Sequence, residues 1–185
     1  ALRIGGPSKL AAFALASGFA LGNARGFESD NPARVSWAGL GLGFLGFGVG
    51  QAILIRHQLF IPGDTPFPSA ADPCFLLGYV AMIGALINFV RVYVQSGLEL
   101  AQPAALWRGS LVLTLPLAAF LVVVAQSILG SDDPAVQKSV GLAYPVLDAF
   151  LLVPTFLLAR LGFAMRGGEL ALPWALMTTG FVLFT

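Results

Sequence analysis

Long apolar runs separated by short polar breaks set the plan of this chain. The clearest run is residues 35–55, uncharged between Arg34 and Arg56 and matching the ~20 residues a helix needs to cross a hydrocarbon core. Comparable runs cover residues 73–90, 109–129 and 140–161. Residues 10–22 form a shorter one, read as the end of a span or as a short interfacial helix, and residues 170–185 begin a last span. The pattern predicts an all-α fold, a polytopic transmembrane helix bundle with five to six spans, forming a single integral-membrane helical domain over residues 1–185. The chain begins at Ala1 without an initiator Met and stops inside the apolar run GFVLFT, so it is expected to be cut from a longer protein at both ends.

The breaks carry the turn chemistry. Residues 23–34, NARGFESDNPAR, read as a loop, residues 130–138 as a short polar turn, and Arg160, Arg166 and Glu169 as the last loop. Tyr93 and Trp107 flank the connection between the spans at 73–90 and 109–129 and suit an interfacial aromatic belt. After Arg56 and His57 comes IPGDTPFPSAAD. Pro62, Pro66 and Pro68 exclude helix there, Gly63 with Asp64 offers a turn, and Ser69 is an N-cap with Asp72 three residues on completing a capping box. Pro116, with Thr114 to bond a freed carbonyl, and Pro145 and Pro154 are expected to kink their spans.

Composition agrees with the membrane reading: 57% of the 185 residues are hydrophobic and 10% charged, where soluble domains carry about a quarter charged. Ten basic residues against nine acidic ones leave no basic field for nucleic acid, which is excluded as a partner. Cys74 has no second cysteine to pair with, and no His/Cys cluster has metal-site spacing, so no metal ligand is assigned. No phosphate loop, HExxH or nucleophile elbow is present; no catalytic residue is assigned and the protein is not expected to be an enzyme. The loops at 23–34, 91–108 and 160–169 hold six Lys/Arg against four on the other side. The positive-inside rule places the first set in the cytoplasm and the PFPSAAD loop outside.

Two sets of residues stand out within the apolar runs. Gly39 with Gly43 and Gly46 with Gly50 form small-xxx-small pairs, which let helix backbones approach closely and mark helix-packing positions; Phe44, Leu45 and Phe47 are expected to fill the neighbouring gaps. Gln51, Asp72, Tyr79, Tyr144 and Asp148 all fall in the outer half of the membrane, Asp148 roughly 12 to 18 Å from the outer end of its helix. An ionised carboxylate at that depth costs several kcal/mol unless paired or solvated. These five are the candidate ligand-binding residues of an outward-facing polar pocket. The alternatives are a hydrogen-bonded interhelical network without a ligand, a cap role for Asp72, a helix-to-helix bond for Gln51, and a solvated interfacial position for His57.

PFPSAADPCFLLGY and the later LAYPVLDAFLLVPTFLLARLG resemble the polytopic membrane input region found N-terminal to diguanylate cyclase (GGDEF), phosphodiesterase (EAL) or histidine-kinase output domains in bacterial signalling proteins. Pro68, Ser69, Ala71, Asp72, Phe75, Leu76, Leu77, Gly78 and Tyr79 match one motif of that pattern, and Ala143, Tyr144, Pro145 and Asp148 the other. The chain departs from it at Gln51, where the family often has Asp, and at Val80, where it often has Pro, and such regions usually have about eight spans. The resemblance implies a sensory module of a bacterial inner membrane, coupled to a cytoplasmic output that these 185 residues do not include. It names no cofactor. The partners expected are the lipid bilayer, a small ligand, lipid or pigment, and other membrane subunits or a second copy in a homodimer. The alternative function is a structural accessory subunit of a larger membrane complex, held by the glycine-rich face of residues 35–55; a transporter is third, without an inverted repeat to support it.

Overall fold

A computed structural model describes residues 5–61, 63–95 and 119–164. They form α1 (Gly5–Arg25), α2 (Pro32–Phe60), α3 (Asp72–Gln95), α4 (described over Ala119–Leu129) and α5 (Ala135–Ala164), with no strand among the described residues. The chain divides into two compact units, Ala1–Asn88 and Phe89–Thr185, so the boundary falls inside α3. Among the described residues, three helices are long and apolar enough to cross a membrane: α2, α3 and Ala135–Leu161 of α5. That is fewer than the five to six spans expected. The run at 10–22 lies within α1, whose Ser8–Lys9 and Asn23–Arg25 ends dilute its apolar stretch. The run at 109–129 is described only over α4, and residues 170–185 lie outside the described residues, as do Pro62, Trp107, Thr114, Pro116, Arg166 and Glu169.

The helices overrun the apolar stretches that announced them, because backbone hydrogen bonding does not stop at the first charge. At the start of α2 the Asn31 side chain caps the helix, its Oδ1 accepting from Ala33 N–H at 2.9 Å, and Pro32 occupies the first turn, where a missing N–H costs nothing. Asn23–Arg25 and Pro32–Arg34 are therefore helix, and only residues 26–31 of the expected loop connect α1 to α2. At the other end α2 passes Arg56 and His57 before Ile61 caps it by donating its N–H to the His57 carbonyl at 3.0 Å. Between α4 and α5, Ser131 Oγ and Lys138 Nζ donate to the carbonyls of Ile128 and Leu129 at 2.8 and 3.1 Å. They satisfy orphan groups at the end of α4, where a cation also suits the dipole.

In the first unit α2 is the centre. α1 runs antiparallel along it: Gly6 lies against Ile55, Phe13 against Phe47 and Gly48, and Leu21 against Gly41. α3 runs antiparallel along the opposite face, Gly39 meeting Ala85, Gly43 meeting Gly78 and Met82, Gly46 meeting Cys74 and Gly78, and Gly50 meeting the Phe75 ring. At 100° per residue, Gly39, Gly43, Gly46 and Gly50 share one face of α2 while Gly41 and Gly48 lie about 180° away. One helix thus presents bare backbone to both neighbours. A Cβ on Gly46 would stand 2.9 Å from the Cys74 carbonyl oxygen and 3.1 Å from Gly78 Cα, and one on Gly41 would stand 2.6 Å from Leu21 Cγ.

The remaining faces of α2 divide cleanly. Ser36, Leu40 and Phe47 are buried, whereas Val35, Leu42, Leu45 and Val49 are exposed and entirely apolar. Leu45 was expected to fill a packing gap and instead points outward, 49% exposed. A helix apolar on its outer side as well as its inner one suits a solvent of lipid rather than water. Integral-membrane character rests on this together with the three span-length helices.

Candidate functional site

The proline-rich segment before α3 folds as a helix cap. Gly63 takes φ +109°, a conformation that favours glycine, and the Phe67–Pro68 peptide is cis. Ser69 then makes the reciprocal bonds of a capping box. Its Oγ accepts from Ala71 N–H at 3.2 Å, and both its N–H and its hydroxyl donate to Asp72 Oδ2, the hydroxyl at 2.9 Å. The Asp72 carboxylate, 7% exposed, is therefore engaged at the positive end of α3, where its charge is favoured.

Two turns further on, Tyr79 is buried with its ring 4.9 Å from that of Phe47, edge to face. Phe47 also packs at 5.5 Å against Phe13 of α1 and at 5.5 Å against Phe75 of α3, so one side chain joins all three helices. Gln51 lies one turn beyond Phe47 on the same side of α2, half-buried, with its Nε2 near the start of α1. The antiparallel register puts it level with the first turn of α3. Gln51 and Asp72 thus lie toward the same end of the first unit, and Tyr79 sits two turns deeper beside Phe47.

His57 lies half-buried toward that end of α2. It sits on the α3-facing side of α2, two turns past Gly50, and its Nδ1 is buried with no hydrogen-bond partner among the described residues. The other end of the unit holds a polar contact that sequence reasoning missed. Asn88 Nδ2 donates to Ser36 Oγ at 2.9 Å and to the Pro32 carbonyl at 3.0 Å, tying α3 to the start of α2. Ser17 Oγ, also missed, donates to the Gly41 carbonyl at 2.8 Å, where the absent side chain leaves that oxygen accessible. A lone serine or asparagine in an apolar run was the available signal, since such groups need partners in lipid.

Tyr144 and Asp148 belong to the second unit. They lie one turn apart on α5, both half-buried, on the side that continues through buried Leu151, Leu152 and Thr155. Both take part in polar or ring interactions. Pro145 and Pro154 lack the N–H groups that would bond the carbonyls of Gly141 and Phe150. Thr155 Oγ1 donates back to the Leu151 carbonyl at 2.7 Å, beside the second of these interruptions. The α5 stretch therefore combines a carboxylate, a phenol and two breaks in the backbone ladder inside an apolar span. It can accept and donate hydrogen bonds.

Among the described residues no group of three or more His, Cys, Asp or Glu side chains is placed to hold a metal ion. No protein-family model, curated protein or solved structure matches the chain.

Proposed function

We propose that the chain is a membrane-embedded sensory or input module of a bacterial signalling protein in the cytoplasmic membrane. In this proposal an outward-facing polar pocket is coupled to a cytoplasmic output, and the candidate residues are Gln51, Asp72 and Tyr79 in the first unit and Tyr144 and Asp148 in the second. The observation that carries it is Asp148, half-buried within the apolar stretch Ala135–Leu161 and followed along the same side by buried Thr155. Burying a carboxylate in lipid is costly, and membrane proteins keep such groups mainly for function. The two motifs behind the resemblance support the reading from a second direction. One starts α3 with a fixed cap, and the other crosses α5 at a proline.

A small ligand, lipid or pigment in the pocket drives an output only if it binds two helix packings with different affinity. Pro145 and Pro154 give α5 the interrupted backbone that such a change of packing needs. The test is Asp148→Asn in the full-length protein. Altered output with normal membrane insertion is expected, and output indistinguishable from wild type discards the pocket. The alternative, an accessory subunit held by the glycine-rich face of α2, draws no support from those glycines, because α1 and α3 of the same chain already occupy them.

A further inference from the structure

The outward side of α2 continues past the end of its apolar core. Leu42, Leu45, Val49, Ala52, Arg56 and Leu59 recur at three- and four-residue steps, Val35 lies two turns before Leu42 and Phe60 one turn after Arg56, and all are exposed. The stripe is about 38 Å long at 1.5 Å per residue, against ~30 Å of hydrocarbon. Its only charge is Arg56, and beyond that charge the surface turns apolar again: Phe60 is 77% exposed, and Leu59, Ile61 and, across the turn, Phe67 are exposed with it. The start of α2 also carries an exposed arginine on that side, Arg34, but no apolar surface beyond it, being preceded by exposed Glu28, Ser29 and Asp30. The two ends of one span are therefore built for different surroundings.

We infer that the end of α2 and the loop after it form an interfacial lipid-binding surface. Arg56 pairs with the phosphate of a phospholipid headgroup, and Leu59, Phe60, Ile61 and Phe67 seat at the boundary between headgroups and acyl chains. A guanidinium matches phosphate oxygens in geometry and charge, and its aliphatic stem reaches from the edge of the hydrocarbon to the headgroup layer. Lipid is favoured as the occupant because Leu59, Phe60 and Ile61 continue the exposed apolar stripe of α2, and the one charge interrupting it, Arg56, is suited to a headgroup. Apolar side chains seated in this way enter the membrane by about 5 to 10 Å. The inference rests on α2 as a span and not on the signalling proposal.

The test is spin-label depth measurement on the full chain, reconstituted in phosphatidylcholine–phosphatidylglycerol vesicles with Cys74→Ala as background. Labels are placed through Leu45→Cys, Phe60→Cys, Asp64→Cys and Phe67→Cys, one at a time. The expected ratio of oxygen to nickel-chelate accessibility is highest at residue 45, intermediate at 60 and 67, and severalfold lower at 64. Labels at 60 and 67 that match 64 overturn the inference in favour of water, and labels shielded from both reagents overturn it in favour of a protein cover. Residue 45 reports on the span separately: if it too is aqueous, both the span and the inference fall. In Arg56→Leu the label at 60 is expected to sink, because the stripe loses its headgroup anchor; an unchanged depth overturns the pairing with phosphate.

Discussion

Gly46→Ala tests the close approach of α2 and α3 directly. A Cβ there meets backbone on the other side, the Cys74 carbonyl oxygen at 2.9 Å and Gly78 Cα at 3.1 Å, so no rotamer change relieves it. The helices must part by about 0.5 Å to restore ordinary contact, and a gap of that size forfeits a quarter or more of each ~0.1–0.2 kcal/mol atom-pair contact along the seam. Over on the order of 40 pairs, as many as one buried leucine makes, the loss is about 2 kcal/mol. Alanine recovers up to ~1 kcal/mol through its helix propensity. Gly84→Ala on α3 isolates that gain, because a Cβ at Gly84 meets nothing within 4 Å. The difference between the two variants is then about 2 kcal/mol, with Gly46→Ala the less stable. Cys74, half-buried beside the seam and the chain's single cysteine, supplies the readout as maleimide labelling while the fraction of denaturing detergent is raised. If Gly46→Ala unfolds at the same detergent fraction as Gly84→Ala or a higher one, the backbones do not pack as described.

Other expectations follow from single contacts. Ser69→Ala removes the hydroxyl that accepts from Ala71 N–H and donates to Asp72, and should cost about 1 kcal/mol in the same unfolding measurement. Asn88→Leu should cost about 0.6 kcal/mol, the average for interhelical hydrogen bonds in membranes, and at most about 1.7, and Ser36→Ala in that background should cost little more; additive losses would show that the two side chains act independently. Phe47→Ala empties the junction of three helices and should destabilise the first unit by about 3 to 5 kcal/mol, with Phe47→Leu costing less. A Phe47→Leu variant as stable as wild type would mean that the ring contacts add nothing beyond bulk, and equal losses in the two would mean that bulk without the ring recovers nothing.

What the sequence disclosed and what it hid follow from the solvent. In water, apolar periodicity separates the inside of a helix from its outside, but a membrane helix is apolar on both, so Leu45 and Phe47 read alike although one faces outward and the other joins three helices. The glycines of α2 escaped this ambiguity, since four-residue pairs of small residues mark where another helix can come close. Gly39, Gly43, Gly46 and Gly50 were readable as a packing face for that reason. Gly41 and Gly48 carried the same information about the opposite face, and hence about α1, but seven residues apart they form no small-xxx-small pair. The start of α1 was hidden by Gly5, Gly6 and Pro7, residues that read as a break and are tolerated in a first turn.

The candidate site divides along the same line. Ser69 and Asp72 were legible as a cap because the signal is local: two side chains three residues apart, next to prolines that forbid the helix from starting earlier. Asp148 was legible only as an expense, a charge where lipid penalises charge, and an expense does not name its partner. The two acids therefore carry different weight. Asp72 has a structural use that accounts for its position whatever binds nearby, so loss of stability in Asp72→Ala would not by itself report on a ligand. Asp148 sits mid-helix, where no cap is needed, between two prolines that already weaken the backbone ladder. A residue retained there serves neither helix start nor helix end, and substitution at Asp148 rather than Asp72 separates a functional pocket from a merely well-built helix terminus.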